Sequence, residues 1–269
     1  MRSKKIVFVT DSGFWSHNTD LLKELNQLND MYVLITFVKG FSNHDKNDIV
    51  NFCVLNKIKF ELVDKDNIRS RSLRNIFHSY RKYISKIKVF NPDIIYIESF
   101  SNPYLAIMYR LFFDVQKIVM GVHDFKLHPL GNKKTKFSAR VYREIYTKLF
   151  LNFHFFSESQ KDLFVKKHPN KRVFVARLYL LDIEKNNYES ARSTRTFLYF
   201  GRILYYKGVD VLIKAANILT DQKIDFNLVI AGYSENFDYY SSMLKNNPNV
   251  ETKIYKITKE ELDKIFLNS

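Results

Sequence analysis

Apolar residues along this chain follow two alternating rhythms. Short runs at 6–10, 32–38, 59–63, 93–97, 117–122, 153–157 and 172–175 are rich in Ile, Val and Phe, and several are apolar nearly throughout. Between them lie longer stretches whose apolar residues recur every three or four positions. The first rhythm predicts strands and the second predicts helices. Strands alternating with helices imply βαβ units and a parallel sheet. Strands without polar alternation suit a sheet covered on both faces.

A polar stretch at 182–195 then interrupts the pattern and reads as a linker. A second series follows, with strands predicted at 196–200, 226–231 and 250–255 and helices near 209–219 and 237–245. Thr258 and Glu261 stand at capping-box spacing at the start of a last helix. The expected organisation is an α/β domain over 1–181, the linker, and a second α/β domain over 196–269. Three strands with their helices make a small core, so this second domain is expected to be partial. No repeat of solenoid type is present.

Composition narrows the class. Of the 269 residues, 46% are hydrophobic and 26% charged, which suits a packed core and argues against disorder. A net charge of +15 attracts anions, whether nucleic acid, lipid headgroup or phosphorylated substrate. The single cysteine, Cys53, excludes an internal disulfide framework and a cysteine-rich zinc site. It agrees with a reducing, cytoplasmic setting. The apolar run at 6–9 ends at Asp11, too soon for a signal peptide. Arg110 breaks the longest apolar segment, well short of the ~18 residues a membrane span needs.

The sharpest chemical signal follows the strand at 196–200. Gly201 lets the backbone turn as it leaves the strand, Arg202 offers a planar fork for phosphate oxygens, and Lys207 adds a compact cation. Gly208 opens the next helix, where free backbone N–H groups favour an anion. The order Lys-Gly and its spacing exclude a Walker loop. The arrangement suits a diphosphate clamp; the plainer alternative is a strand–turn–helix with two solvated cations.

At these residues the chain resembles the retaining family 4 of GT-B glycosyltransferases, the glycosyl transferases group 1, which carries Gly-Arg, four residues, then Lys-Gly. The resemblance implies a fold of two Rossmann-like domains with parallel sheets, the second incomplete here. It implies that Arg202 and Lys207 bind a donor diphosphate and stabilise the departing nucleoside diphosphate. Asn227 to Gly232 is similar to the family's strand ending in glycine, so Gly232 is expected near the nucleotide. Gly13, after the first strand, matches a glycine-containing loop near donor and acceptor, or is a plain turn.

Three further segments match more loosely. Asp93 to Glu98 resembles a strand in which Tyr96 and Glu98 replace commoner histidines. Glu98 is a candidate acceptor contact or a solvated strand-end carboxylate. Gly121 to Asp124 resembles a segment whose histidine lies close to the transferred sugar, which makes His123 the catalytic candidate or a satisfied structural histidine; His128 matches less well. Ser157 and Ser159 fit a helix N-cap. The family's Glu-x7-Glu motif, which contacts donor sugar and ribose, has no counterpart in this sequence.

The helices at 69–90 and 133–149 are amphipathic and strongly basic, and their basic faces suit an anionic membrane surface or water alone. No nucleic-acid-binding signature accompanies the charge, so no nucleic-acid partner is expected. Asp64 and Asp66 resemble a metal pair by chance, and neither a metal nor a cofactor is expected, since Arg202 and Lys207 supply positive charge. The expected activity is sugar transfer from a nucleotide-sugar donor to an acceptor hydroxyl with retention, in surface polysaccharide or lipid-linked glycan assembly. The alternative is a non-catalytic remnant, or half of a split transferase that needs a partner chain. The expected location is the cytoplasm, peripheral at the inner face of the plasma membrane.

Overall fold

The computed structural model describes residues 3–38, 45–64, 73–98, 103–125, 133–177, 195–234, 237–244, 246–255, 257, 261 and 265. The chain forms two compact units, Met1–Leu127 with Gly131–Leu181, and His128–Leu130 with Asp182–Ser269. In the first, strand and helix alternate from end to end: β1 (Lys5–Asp11), α1 (Trp15–Leu28), β2 (Asp30–Phe37), α2 (Lys46–Leu55), β3 (Lys59–Asp64), α3 (Leu73–Phe90) and β4 (Ile94–Ile97). There follow α4 (Pro103–Phe112), β5 (Ile118–Val122), α5 (Lys133–Leu149), β6 (Asn152–Phe155), α6 (Glu158–Lys167) and β7 (Arg172–Val175).

The seven strands form one parallel sheet in the order β3-β2-β1-β4-β5-β6-β7. The order reverses between β1 and β4, and in open α/β sheets such a reversal opens a crevice at the strands' carboxyl ends. Successive strand residues serve opposite faces. Val7, Leu34, Ile95 and Met120 pack with Ile84 and Ile87 of α3, Tyr109 of α4, Tyr146 of α5 and Phe164 of α6. Phe8, Val33 and Ile35 pack on the other face with Trp15 and Leu22 of α1 and Ile49 and Cys53 of α2. Burial pushes the Cys53 thiol up to about 12, leaving it a small apolar core residue.

The second unit contains β8 (Thr196–Phe200), α7 (Val209–Asp221), β9 (Asn227–Ala231), α8 (Asp238–Leu244) and β10 (Val250–Lys253). Its parallel sheet runs β10-β9-β8. Ile213 and Ala216 of α7 and Tyr240 of α8 cover Leu228 and Ile230. Val229 and Ala231 meet Ile265 on the opposite face.

Two predicted strands stop two residues early, and β2 starts two residues early, at Asp30. Ser157 leaves β6 because its hydroxyl accepts from the Gln160 N–H at 3.4 Å and caps α6. The last strand stops at Lys253 rather than 255. Most of the linker, residues 69–72, Asp66, His128 and Thr258 lie outside the described residues.

Candidate functional site

The first unit gathers its polar groups at the carboxyl ends of β1, β4, β5 and β6. Glu98 follows β4 and is 2% exposed, which corrects the reading of a solvated strand-end carboxylate. Its backbone N–H donates to the Val9 carbonyl at 3.0 Å, extending the β1–β4 ladder and turning the side chain inward. Oε2 accepts from the Thr10 hydroxyl at 2.5 Å and from the Asn18 amide at 2.5 Å. Oε1 lies 3.1 Å from His123 Nε2. A buried carboxylate is tolerated only when its oxygens are satisfied in this way. The candidate acceptor contact is therefore enclosed by its own chain.

His123 leaves β5 beside it. Phe14 covers one face of the imidazole, with ring centroids 4.3 Å apart, and Phe156 covers the other at 4.2 Å. The ring is clamped flat and 20% of the side chain stays accessible. Nε2–H donates to Glu98, so in the neutral imidazole the lone pair lies on Nδ1. Gly13 lies one residue before Phe14, in a turn where Asp11 Oδ1 accepts its N–H at 2.8 Å. His123, Glu98 and the Gly13 loop are thus brought together.

One row deeper on the same face, Tyr96 of β4 reaches His154 of β6 across β5, with Oη 2.8 Å from Nδ1. Gly121 makes the crossing possible, since a Cβ there would stand 2.4 Å from Tyr96 Oη. His154 Nε2 lies 2.8 Å from the Ala176 carbonyl, which can only accept. The Nε2 proton is therefore fixed, and Tyr96 donates to Nδ1. Burial holds the His154 pKa below its usual value, opposed by the Ala176 hydrogen bond and reinforced by nearby His123. Burial, with the charge of Glu98 adding to it, pushes the Tyr96 phenol up.

The second unit places Gly201, Arg202, Lys207, Gly208 and Gly232 at the carboxyl ends of β8 and β9. Gly201 (φ +140°) and Gly232 (φ +144°) turn the chain out of the two strands, and a Cβ on Gly232 would stand 1.9 Å from the Gly201 carbonyl oxygen. The loops are tied together: Gly201 N–H donates to Ala231 O at 3.1 Å, and Ile203 N–H to Tyr233 O at 2.9 Å. Gly208 (φ +71°) stands before α7, and no side chain caps the first N–H groups of that helix. Asp210 in the first turn offsets the helix dipole, and Arg202 and Lys207 in the preceding loop are exposed. Among the described residues, no group of three or more His, Cys, Asp or Glu side chains could hold a metal.

Sequence reasoning missed Phe14, Phe156, Thr10 and Asn18. A signal existed for Asn18, a polar residue between Trp15 and Leu22 on the buried stripe of α1.

Comparison with solved structures identifies the fold. The catalytic domain of starch synthase IV from Arabidopsis thaliana, bound to ADP and acarbose, is 10% identical with TM-score 0.61, over 100% of this chain and 77% of that one. TarM from S. aureus, in a complex that includes UDP, is 10% identical with TM-score 0.60, over 98% and 79%. A UDP-N-acetylglucosamine 2-epimerase is 16% identical with TM-score 0.56, over 99% and 72%. These likenesses define a GT-B fold, which glycosyltransferases and epimerases share. Residues 182–269 match the family described as Glycosyl transferases group 1. A comparison with curated proteins finds no match.

Proposed function

We propose that the chain transfers a sugar from a nucleotide-sugar donor to an acceptor hydroxyl with retention, in surface polysaccharide or lipid-linked glycan assembly. In this reading 196–269 bind the donor and 1–181 face the acceptor. The bond from the anomeric carbon to the diphosphate oxygen breaks, the diphosphate leaves with the electron pair, and the acceptor oxygen bonds to the same face of that carbon while its proton passes to the departing diphosphate oxygen. Arg202 and Lys207 stabilise the departing charge. Gly201, Gly208 and Gly232 let the backbone approach it, and Gly13 keeps the β1–α1 turn low. His123 presents Nδ1 as an acceptor toward the sugar, with Glu98 holding the ring in that tautomer. The basic helices α3 and α5 suit an anionic surface.

The observation that carries the reading is the glycine-tied β8 and β9 loops with Arg202 and Lys207 beside the uncapped start of α7, within the segment that matches the transferase family. The test is titration of UDP into the protein and its Arg202→Ala variant. Loss of a charge-assisted phosphate contact of about 1.5–3 kcal/mol weakens binding by roughly one to two orders of magnitude. Equal affinity in the two proteins removes Arg202 from the clamp.

A second reading, a non-catalytic remnant or one half of a split transferase that needs a partner chain, draws on the apolar outer edge of the smaller sheet, where Phe197 and Phe200 of β8 are exposed. Sugar transfer by the purified chain alone excludes it.

A further inference from the structure

Three neighbouring helices on one face of the seven-stranded sheet, α3, α4 and α5, show an unusual charge balance; α6, on the same face, carries Glu158 and Asp162 among its lysines. α3 contributes five Lys or Arg residues, α4 one and α5 six, against one acidic residue, Glu144. That glutamate is already engaged by Lys167 of α6 at 2.8 Å. α4 packs against both α3 and α5 and so forms the middle of the layer. A central helix of a water-facing layer ordinarily turns polar residues outward. α4 instead shows Tyr104 (45% exposed), Ile107 (45%) and Leu111 (71%), spaced three and four residues apart along one stripe. Val89 at the end of α3 and Val141 of α5 add to the apolar area. Exposed cations flank it: Arg81 and Lys88 on α3, Arg110 on α4, Arg140 and Lys148 on α5. Lys88 lies over the Phe112 ring, 4.1 Å from its centroid.

We propose that this outer face of α3, α4 and α5 docks on an anionic lipid bilayer, with Tyr104, Ile107 and Leu111 set into the boundary between headgroups and acyl chains. No described helix is long and apolar enough to cross a membrane, so the contact lies in the interface. An apolar ridge between cationic margins matches such a surface on both counts, since lipid binding combines buried apolar area with attraction to anionic headgroups. A protein partner would have to supply a groove and an acidic rim together; an anionic bilayer supplies both chemistries everywhere. Tyr104 opens α4 just after the β4 exit that carries Glu98. The ridge starts at the same carboxyl-end edge of the sheet as His123, on the opposite face, and deepens the transfer reading by assigning an acceptor that lies in a membrane.

The test is co-sedimentation of the full chain with phosphatidylcholine vesicles, with and without phosphatidylglycerol. Binding is expected only with phosphatidylglycerol. It weakens at about 1 M salt, where charges are screened beyond roughly 3 Å. An Ile107→Glu/Leu111→Glu variant is expected to lose about tenfold or more of the binding, and an Arg81→Glu/Arg140→Glu variant to lose it as well. These side chains point outward, so melting temperature and UDP affinity stay at the parent values. Absence of binding to phosphatidylglycerol, or parental binding by the Ile107/Leu111 variant, overturns the proposal. A dimer seen by light scattering that this variant abolishes, without vesicle binding, also overturns it and assigns the face to a second copy. Loss of UDP binding with vesicle binding intact sinks the transfer reading and leaves the docking face standing.

Discussion

Glu98 shows what a single position can hide. A carboxylate at the end of an apolar strand invites the expectation of solvent, yet β1, α1 and the end of β5 close around it. Thr10 and Asn18 donate to one oxygen and His123 meets the other. Exchange for an amide of the same size tests how much depends on its charge. In Glu98→Gln, one oxygen becomes an NH2 that opposes the donors facing it. Unfolding in denaturant is expected to show a loss of about 1–3 kcal/mol. Sugar transfer is expected to fall further than UDP affinity, because the His123 tautomer is no longer fixed; an unchanged transfer rate would detach Glu98 from the chemistry. Phe14 and Phe156 were illegible for a different reason. With 24 phenylalanines in the chain, no local pattern distinguishes the two that clamp an imidazole from those that fill a core.

At the scale of elements the sequence was far more legible. Continuous apolar runs and helical spacing located every described strand, and β7 and β8 have the expected bounds. Side-chain reach across the sheet left no such trace. The Tyr96–His154 bridge over Gly121 joins β4 to β6, and alternation along a strand says nothing about a neighbour two strands away. The bridge carries a pH signature. His154 has its pKa lowered by burial, so the unfolded chain binds its proton more readily than the folded one. The stability this neutral histidine supports is complete above the unfolded value of roughly 6.5 and is lost as pH falls through the lowered folded value. Melting curves from pH 7.5 downward are expected to fall more steeply for the parent protein than for His154→Gln. Parallel curves would mean that the histidine is not the titrating group.

For the whole molecule, alternation gave the parallel α/β class, and the polar stretch at 182–195 suggested two parts. The strand order β3-β2-β1-β4-β5-β6-β7 was out of reach, because runs of equal apolarity do not announce their neighbours. The donor-side loops could be read because glycine, arginine and lysine occur there within a few residues, whereas the His123 site is spread over β1, α1, β4, β5 and β6. If the donor binds the second unit, hydrogen exchange with UDP present is expected to slow at 201–208 and 232–234 and to leave β1–β3 unchanged. Slowing confined to the first sheet would relocate the nucleotide. The spread of the first site also sets a schedule for its assembly. Thr10 and Asn18 precede Glu98 by 88 and 80 residues. At roughly 5–20 residues per second on the ribosome, the two donors emerge on the order of 4–18 s before the carboxylate they will hold. During that interval β1, β2 and β3 can pair, but the inner edge of β1 waits for β4. The nascent chain thus carries an open strand edge at its centre, and any factor that shields it acts before the site exists.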